Sequence, residues 1–210
     1  MSRLAGVAVA LAAAGVGALG MAWWSRPATS PSSSPSARPA VPATTIGSYG
    51  TRVSYPAGRE PSLPAPDGTP LLVHSLLRVD RPMHFGDYVW NESGVPAGGD
   101  TRIRVDLSRQ LMSVFRGGHE IGTAVILYGT DHKPTPTGTF PILARARLHQ
   151  STLYDAEMPY MLRLTNDGVA IHASAVRRGY ATHGCVGIPE DFARRVFTAS
   201  ARGDLVTITA

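Results

Sequence analysis

"TRIRVDLSRQLMSVFRGGHEIGTAVILYG", residues 101–129, decides the fold class. Its first seven residues alternate strictly, with Ile103, Val105 and Leu107 on one side and Arg102, Arg104 and Asp106 on the other. A period of two is the mark of a strand with one buried face. "SRQ" then turns the chain into a second strand, "LMSVFR". Gly117-Gly118 is a tight-turn pair, because glycine enters the left-handed region without steric cost, and "EIGTAVILYG" follows as a third strand. The stretch predicts an antiparallel meander.

Downstream the pattern continues. "TFPILARA" predicts a single strand after the loop "TDHKPTPTG". "YMLRLT" and "GVAIHAS" predict two more, joined at Asn166-Asp167-Gly168. A helix is predicted from Pro189, a preferred first-turn residue, with Glu190 and Asp191 suiting its positive end. Phe192, Val196 and Phe197 form its apolar stripe, Gly203 is its expected stop, and "DLVTITA" closes the chain as a strand. The sum is a mainly β sandwich or barrel-like domain over 101–210 with a helix near its carboxyl end.

Upstream the chain is less regular. Residues 46–100 hold loop-like runs such as "PSLPAPDGTP" and one ambiguous apolar run, "LLVHSLLRV" (71–79), fit for a short helix or a strand. They read as an extension packing onto the main domain. Residues 25–45 are nearly all Ser, Pro, Ala and Thr and predict an extended, solvated tether. Residues 1–24 carry Arg3 and then an uncharged run ending in Trp23-Trp24. About 20 apolar residues suffice to span a bilayer, so the segment predicts an uncleaved membrane anchor. Gly20-Met21-Ala22 keeps a cleavable signal peptide open as the rival. Both predict export, to the periplasm or cell envelope. No cysteine follows the segment, which excludes a lipoprotein anchor.

The formal charge of +5 gives no case for nucleic acid. Arg3, Arg26 and Arg38 lie in residues 1–45, which hold no acid, so that stretch carries +3 and the rest +2. More telling is Cys185 in "ATHGCVGIPED" (181–191), the single cysteine of a chain marked for an oxidising compartment. A buried apolar thiol is the ordinary account of a lone cysteine. Here, however, its neighbours are His183 and Gly184, and His172 ends the strand "GVAIH". A thiol titrating near about 8.5 needs a proton acceptor to become a nucleophile at neutral pH. Glycine beside it lets backbone N–H groups approach a developing oxyanion. The following helix would favour the thiolate if its amino terminus came close. Zinc on His172, His183 and Cys185 is the chemical rival, although His-x-Cys spacing splays two ligands and no fourth has characteristic spacing. No metal and no cofactor is predicted.

"IHASAVRRGYATHGCVGIP" (171–189) resembles the signature of the YkuD-type L,D-transpeptidase catalytic domain: a strand-ending histidine, a variable loop, then Ser/Thr-His-Gly-Cys. The resemblance extends to residues 101–129, to "TPTGTF" (135–140) and to "MPYML" (158–162), covering about residues 101–209. It implies a β-sandwich with a cysteine cleft, and an acyltransferase acting on peptidoglycan tetrapeptide stems. Cys185 would be the nucleophile and His172 the base, held by a backbone carbonyl near Ala173. His183 would shape the site, and Gly184 with Cys185 would offer oxyanion N–H groups. Tyr160 is a candidate for the donor site, with core packing as its alternative. Arg177 and Arg178 in the 173–182 loop are further candidates for substrate contact, with solvated loop charges as the alternative. His132 and Lys133 beside the TPTG turn are candidates for the cleft border, with a solvated loop as the favoured alternative, and His74, His84, His119 and His149 carry no motif. One departure stands out: the family's usual arginine or asparagine two residues after the cysteine is Gly187 here. Transfer to an amine, transfer to water, and an inactive peptidoglycan-binding scaffold in which Gly187 marks decay all remain open.

Overall fold

The computed structural model describes residues 52–151 and 155–210; the predicted export segment and tether, 1–24 and 25–45, lie outside them. Between Arg52 and Asp100 the chain makes five short strands: β1 (Arg52–Ser54), β2 (Ser62–Leu63), β3 (Leu71–Leu72), β4 (Ser75–Leu77) and β5 (Tyr88–Trp90). The ambiguous run 71–79 therefore resolves into strand, not helix. Next come the predicted meander strands β6 (Thr101–Asp106), β7 (Leu111–Arg116) and β8 (His119–Val125). In β6 Thr101, Ile103 and Val105 are buried while the residues between them are half exposed, as the alternation requires. Gly117 and Gly118 both adopt positive φ, 51° and 80°, at the turn between β7 and β8.

Residues 52–100 extend the sheet instead of merely lying on it. β4 pairs with β8 in parallel and β5 pairs with β8 antiparallel, with Trp90 opposite Gly122. β1 adds to β4. Arg52 fastens this junction, donating to Ser75 Oγ at 3.1 Å, to the Glu120 carbonyl at 2.5 Å and to the Asn91 carbonyl at 2.7 Å.

The single strand predicted over "TFPILARA" is two strands in two sheets. β9 (Gly138–Pro141) joins the large sheet, and β10 (Ala144–Ser151) begins a second, four-stranded sheet. Pro141 brings no N–H, and the next two N–H groups part company. That of Ile142 donates to Asp204 at 2.9 Å, and that of Leu143 to Arg163 at 2.8 Å, on different sheets. The second sheet continues through β11 (Ala156–Arg163), β12 (Ala170–Ala173) and β13 (Val186–Ile188). The helix α1 (Glu190–Ala199) follows, and β14 (Leu205–Thr209) returns to the large sheet between β6 and β9. Pro189 caps α1 instead of opening its first turn, and the helix stops at Ser200, before Gly203.

The two sheets share one core. Ile103, Val105, Met112, Val114 and Ile121 of the large sheet meet Leu162, Ile171, Val186 and Ile188 of the small one, with Phe192 and Val196 of α1 among them. Phe192 packs against Tyr88 and Trp90 at centroid distances of 5.6 Å each. Two residues of the extension thus help seat the helix that follows β13.

Candidate functional site

Strand register brings His172 and Cys185 together. β12 and β13 run parallel, with Ile171 opposite Val186, His172 opposite Gly187 and Ala173 opposite Ile188. Partners in a parallel ladder point to the same face, and so do residues two apart on one strand. Cys185, two residues before Gly187, therefore shares a face with His172. Both line a cleft of about 540 Å³, together with Lys133, His149, Ser174, Thr182 and His183 and the 166–170 hairpin.

Local chemistry holds this turn in place. The Thr182 hydroxyl donates to the Cys185 carbonyl at 2.6 Å, and the Thr182 N–H to Tyr128 at 2.9 Å. Gly184 adopts φ 103°, a conformation that a side chain would strain, and its open face lies 3.5 Å from the Pro134 carbonyl. The loop before "TPTG" packs there. Its fold depends on Gly129, where any side chain would collide with the Lys133 carbonyl, and on buried Thr135, whose Oγ1 accepts the Gly129 N–H at 2.9 Å. Outside the strand ladders, the N–H groups of Gly184 and Cys185 donate to no backbone carbonyl of the described residues.

The imidazole of His172 is oriented through Nδ1, 2.8 Å from the Ala173 carbonyl and 3.4 Å from Ser174 Oγ. Since a carbonyl only accepts, Nδ1 carries the proton and Nε2 keeps its lone pair. Burial pushes the His172 pKa below its ordinary value, and the Ala173 carbonyl opposes this weakly. Burial also raises the Cys185 thiol above its ordinary value, the Asp167 carboxylate adding to this and the Ala170 N–H opposing it. The thiol points toward the Gly168 carbonyl at 3.9 Å. Met158, Met161 and Ala170 form an apolar cluster against Cys185. Burial thus favours the neutral thiol and the neutral imidazole.

The helix dipole plays no part in this balance. β13 separates Cys185 from Glu190 by three extended residues and Pro189, so α1 begins on the order of 15 Å along the chain from the sulfur. Among the described residues, no three His, Cys, Asp or Glu side chains converge as metal ligands.

Three predicted contacts fall elsewhere. Tyr160 has φ 54°, and this irregularity breaks the alternation of β11. Met158 and Met161, three residues apart, both reach the cleft, while Tyr160 packs edge-on against Phe197 at 5.9 Å. The core-packing alternative holds for Tyr160. Arg178 lines a different cavity, of about 830 Å³, with Glu120, Arg81 and Arg109. Arg177 lines neither cavity. Of the two loop candidates, Lys133 borders the cleft while remaining exposed to solvent, and His149 enters it from β10 without any motif to announce it. Ser174 and Arg163 are also lining residues that sequence reasoning passed over.

Residues 100–208, just over half of the chain, match the YkuD L,D-transpeptidase catalytic domain. The chain belongs to that family. L,D-transpeptidase 1 of Mycobacterium tuberculosis is 30% identical over 128 residues, covering 52% of this chain and 51% of that protein. The chain thus spans about half the length of the curated relatives it matches. Among solved structures, an L,D-transpeptidase from Mycobacterium smegmatis aligns with a TM-score of 0.50 at 22% identity, over 54% of this chain and 60% of that one. One from Stackebrandtia nassauensis aligns with a TM-score of 0.50 at 21% identity, over 57% and 62%. These two similarities speak for the fold: mainly β, with a helix late in the chain. Within the L,D-transpeptidase family, the cleft holding His172 and Cys185 lies inside the matched residues.

Proposed function

We propose that this chain is an exported cell-envelope L,D-transpeptidase that works on peptidoglycan tetrapeptide stems through a thioester on Cys185. The observation that carries this reading is the shared face of His172 and Cys185 in one cleft, with Nδ1 of His172 already tied to Ala173. Nε2 accepts the thiol proton as the sulfur attacks the carbonyl carbon of the stem's diaminopimelate residue. The resulting oxyanion is held by the Gly184 and Cys185 N–H groups. The C–N bond to the terminal D-alanine breaks, His172 returns the proton to the departing amine, and the thioester remains. An acceptor amine then attacks the thioester carbon and gives its proton to Nε2. The C–S bond breaks and the thiol is restored. His183 borders the cleft and shapes its rim. The amino-terminal segment places the domain at the membrane, as an anchor or during export.

Because burial disfavours both the thiolate and the imidazolium, proton transfer accompanies attack instead of preceding it. Incubation of the full chain with a tetrapeptide muropeptide, followed by intact-mass analysis, tests the reading. The expected result is a mass gain of the substrate less D-alanine, mapping to Cys185 and blocked by prior alkylation; a carbapenem should add one inhibitor mass to the same sulfur. An unmodified Cys185 with both reagents would overturn it. The mass of the released product distinguishes capture by an amine from capture by water.

A further inference from the structure

Gly187 lies opposite His172 in the β12–β13 ladder. Its backbone does not require glycine: it has no left-handed φ, and its N–H and carbonyl are bonded to Leu127 at 2.9 and 2.8 Å. What excludes a side chain is Ser174. A methyl group at 187 would stand 2.8 Å from Ser174 Oγ and 2.9 Å from Ser174 Cβ, with Leu127 Cβ at 3.4 Å. Ser174 is itself fixed, its N–H donating to Ile188 at 2.8 Å. From there its Oγ reaches to 3.4 Å from Nδ1 of His172. The empty position on one strand and the hydroxymethyl on the other are two halves of one arrangement.

We propose that Ser174 is a positioning residue for His172, and that Gly187 is glycine to make room for it. The side chain that sets the back of the imidazole is carried on the residue just after β12 instead of on β13. Ser174 gives the Nδ1–H a second, longer acceptor beside the Ala173 carbonyl. This limits rotation of the ring and keeps the proton off Nε2. Gly187 is then a compensated position, not a decayed one. The inference rests on His172 and Cys185 acting as base and nucleophile.

The test compares Ser174→Ala, Gly187→Ala, Gly187→Ser and the exchange S174G/G187S in the full chain, by muropeptide turnover and by the pH dependence of Cys185 alkylation. The other titratable groups bordering the cleft, His149, His183, Lys133, Arg163 and Asp167, are common to all variants. Loss of one hydrogen bond predicts that Ser174→Ala lowers kcat about five- to tenfold with little change in KM, and slows alkylation near neutral pH. Gly187→Ala and Gly187→Ser should each cost at least as much, because the added group displaces Ser174. The exchange variant, with one hydroxymethyl in the same space, should recover to within about threefold of wild type, the two positions being coupled through contact. Wild-type kcat and an unchanged alkylation profile in Ser174→Ala would overturn the proposal, and so would an exchange variant no faster than Gly187→Ser. Alkylation reads the Cys185–His172 pair directly, so it decides the matter even if turnover proves independent of Cys185; retained turnover in Cys185→Ala would instead break the transpeptidase reading.

Discussion

Two acids in this molecule, one buried and one half-buried, meet opposite fates. Glu120, on β8, is 5% exposed and burial raises its pKa. The Cys185 thiol, in the small sheet's cleft, is raised by burial as well. Around Glu120 the fold supplies partners: the Leu77 N–H donates to Oε2 at 2.8 Å, Ser113 bonds the side chain, and Arg52 lies close enough to favour its charge. Around Cys185 it supplies Met158, Met161, the Ala170 N–H and one weak acceptor at 3.9 Å, with no countercharge and with an oriented imidazole lining the same cleft. A displaced pKa alone does not separate structure from chemistry; unspent hydrogen-bonding capacity does.

The sharpest way to break this contrast is substitution at each acid. Cys185→Ala should lower turnover by at least about a thousandfold, as expected when a covalent nucleophile is lost, with the melting temperature nearly unchanged. Residual turnover above that level would remove Cys185 from the nucleophile's role. Next in size, His172→Ala should cost about a hundredfold or more, the usual scale of a positioned base. In wild type, alkylation of Cys185 should still be rising beyond pH 8.5, because burial holds the thiol up. A plateau reached below pH 6 would show instead a preformed ion pair.

Glu120 should show the opposite profile. Glu120→Ala should lower stability by about 1–3 kcal/mol, since the Leu77 N–H and Arg52 lose a buried partner, while turnover per folded molecule stays at wild type. The pH dependence has a definite sign. A carboxyl whose folded pKa is raised binds its proton more tightly when folded, so its contribution is fully present below about 4.5 and is lost as pH rises through the folded value. His172 acts in reverse: its folded pKa is lowered, and the stability tied to its neutral form is lost as pH falls below about 6.5. Melting curves of Glu120→Gln across pH 4–8 should therefore lack the decline above pH 4.5 expected of wild type. Parallel curves for the two proteins would remove Glu120 from that role.

How far the sequence could be read depended on the range of the interactions involved. β6, β7 and β8 were legible because a period of two and a glycine pair are local signals. The nearness of His172 and Cys185 was legible through the motif, although the parallel register that places them on one face was not. The sheet switch after Pro141 was hidden, because "TFPILARA" reads as one largely apolar stretch and only tertiary hydrogen bonds divide it. Tyr160 was misplaced by one irregular φ that shifts the phase of β11. Arg178 was judged by its nearness in sequence to the cysteine motif, yet its loop carries it to the Glu120 cavity. Ser174 and Gly187 are 13 positions apart (187 less 174), and their mutual exclusion exists only where two strands touch.

The pairing of β4 and β5 with β8 has a consequence for where this domain can be cut. A boundary drawn at residue 100, where the family match begins, would strip β8 of both neighbours on that side. The strand would then present an unpaired row of N–H and carbonyl groups beside an exposed Phe192, a template for pairing with a second copy of itself. In the folded chain β4 and β5 occupy those groups, so the extension closes an edge that the matched residues alone would leave open.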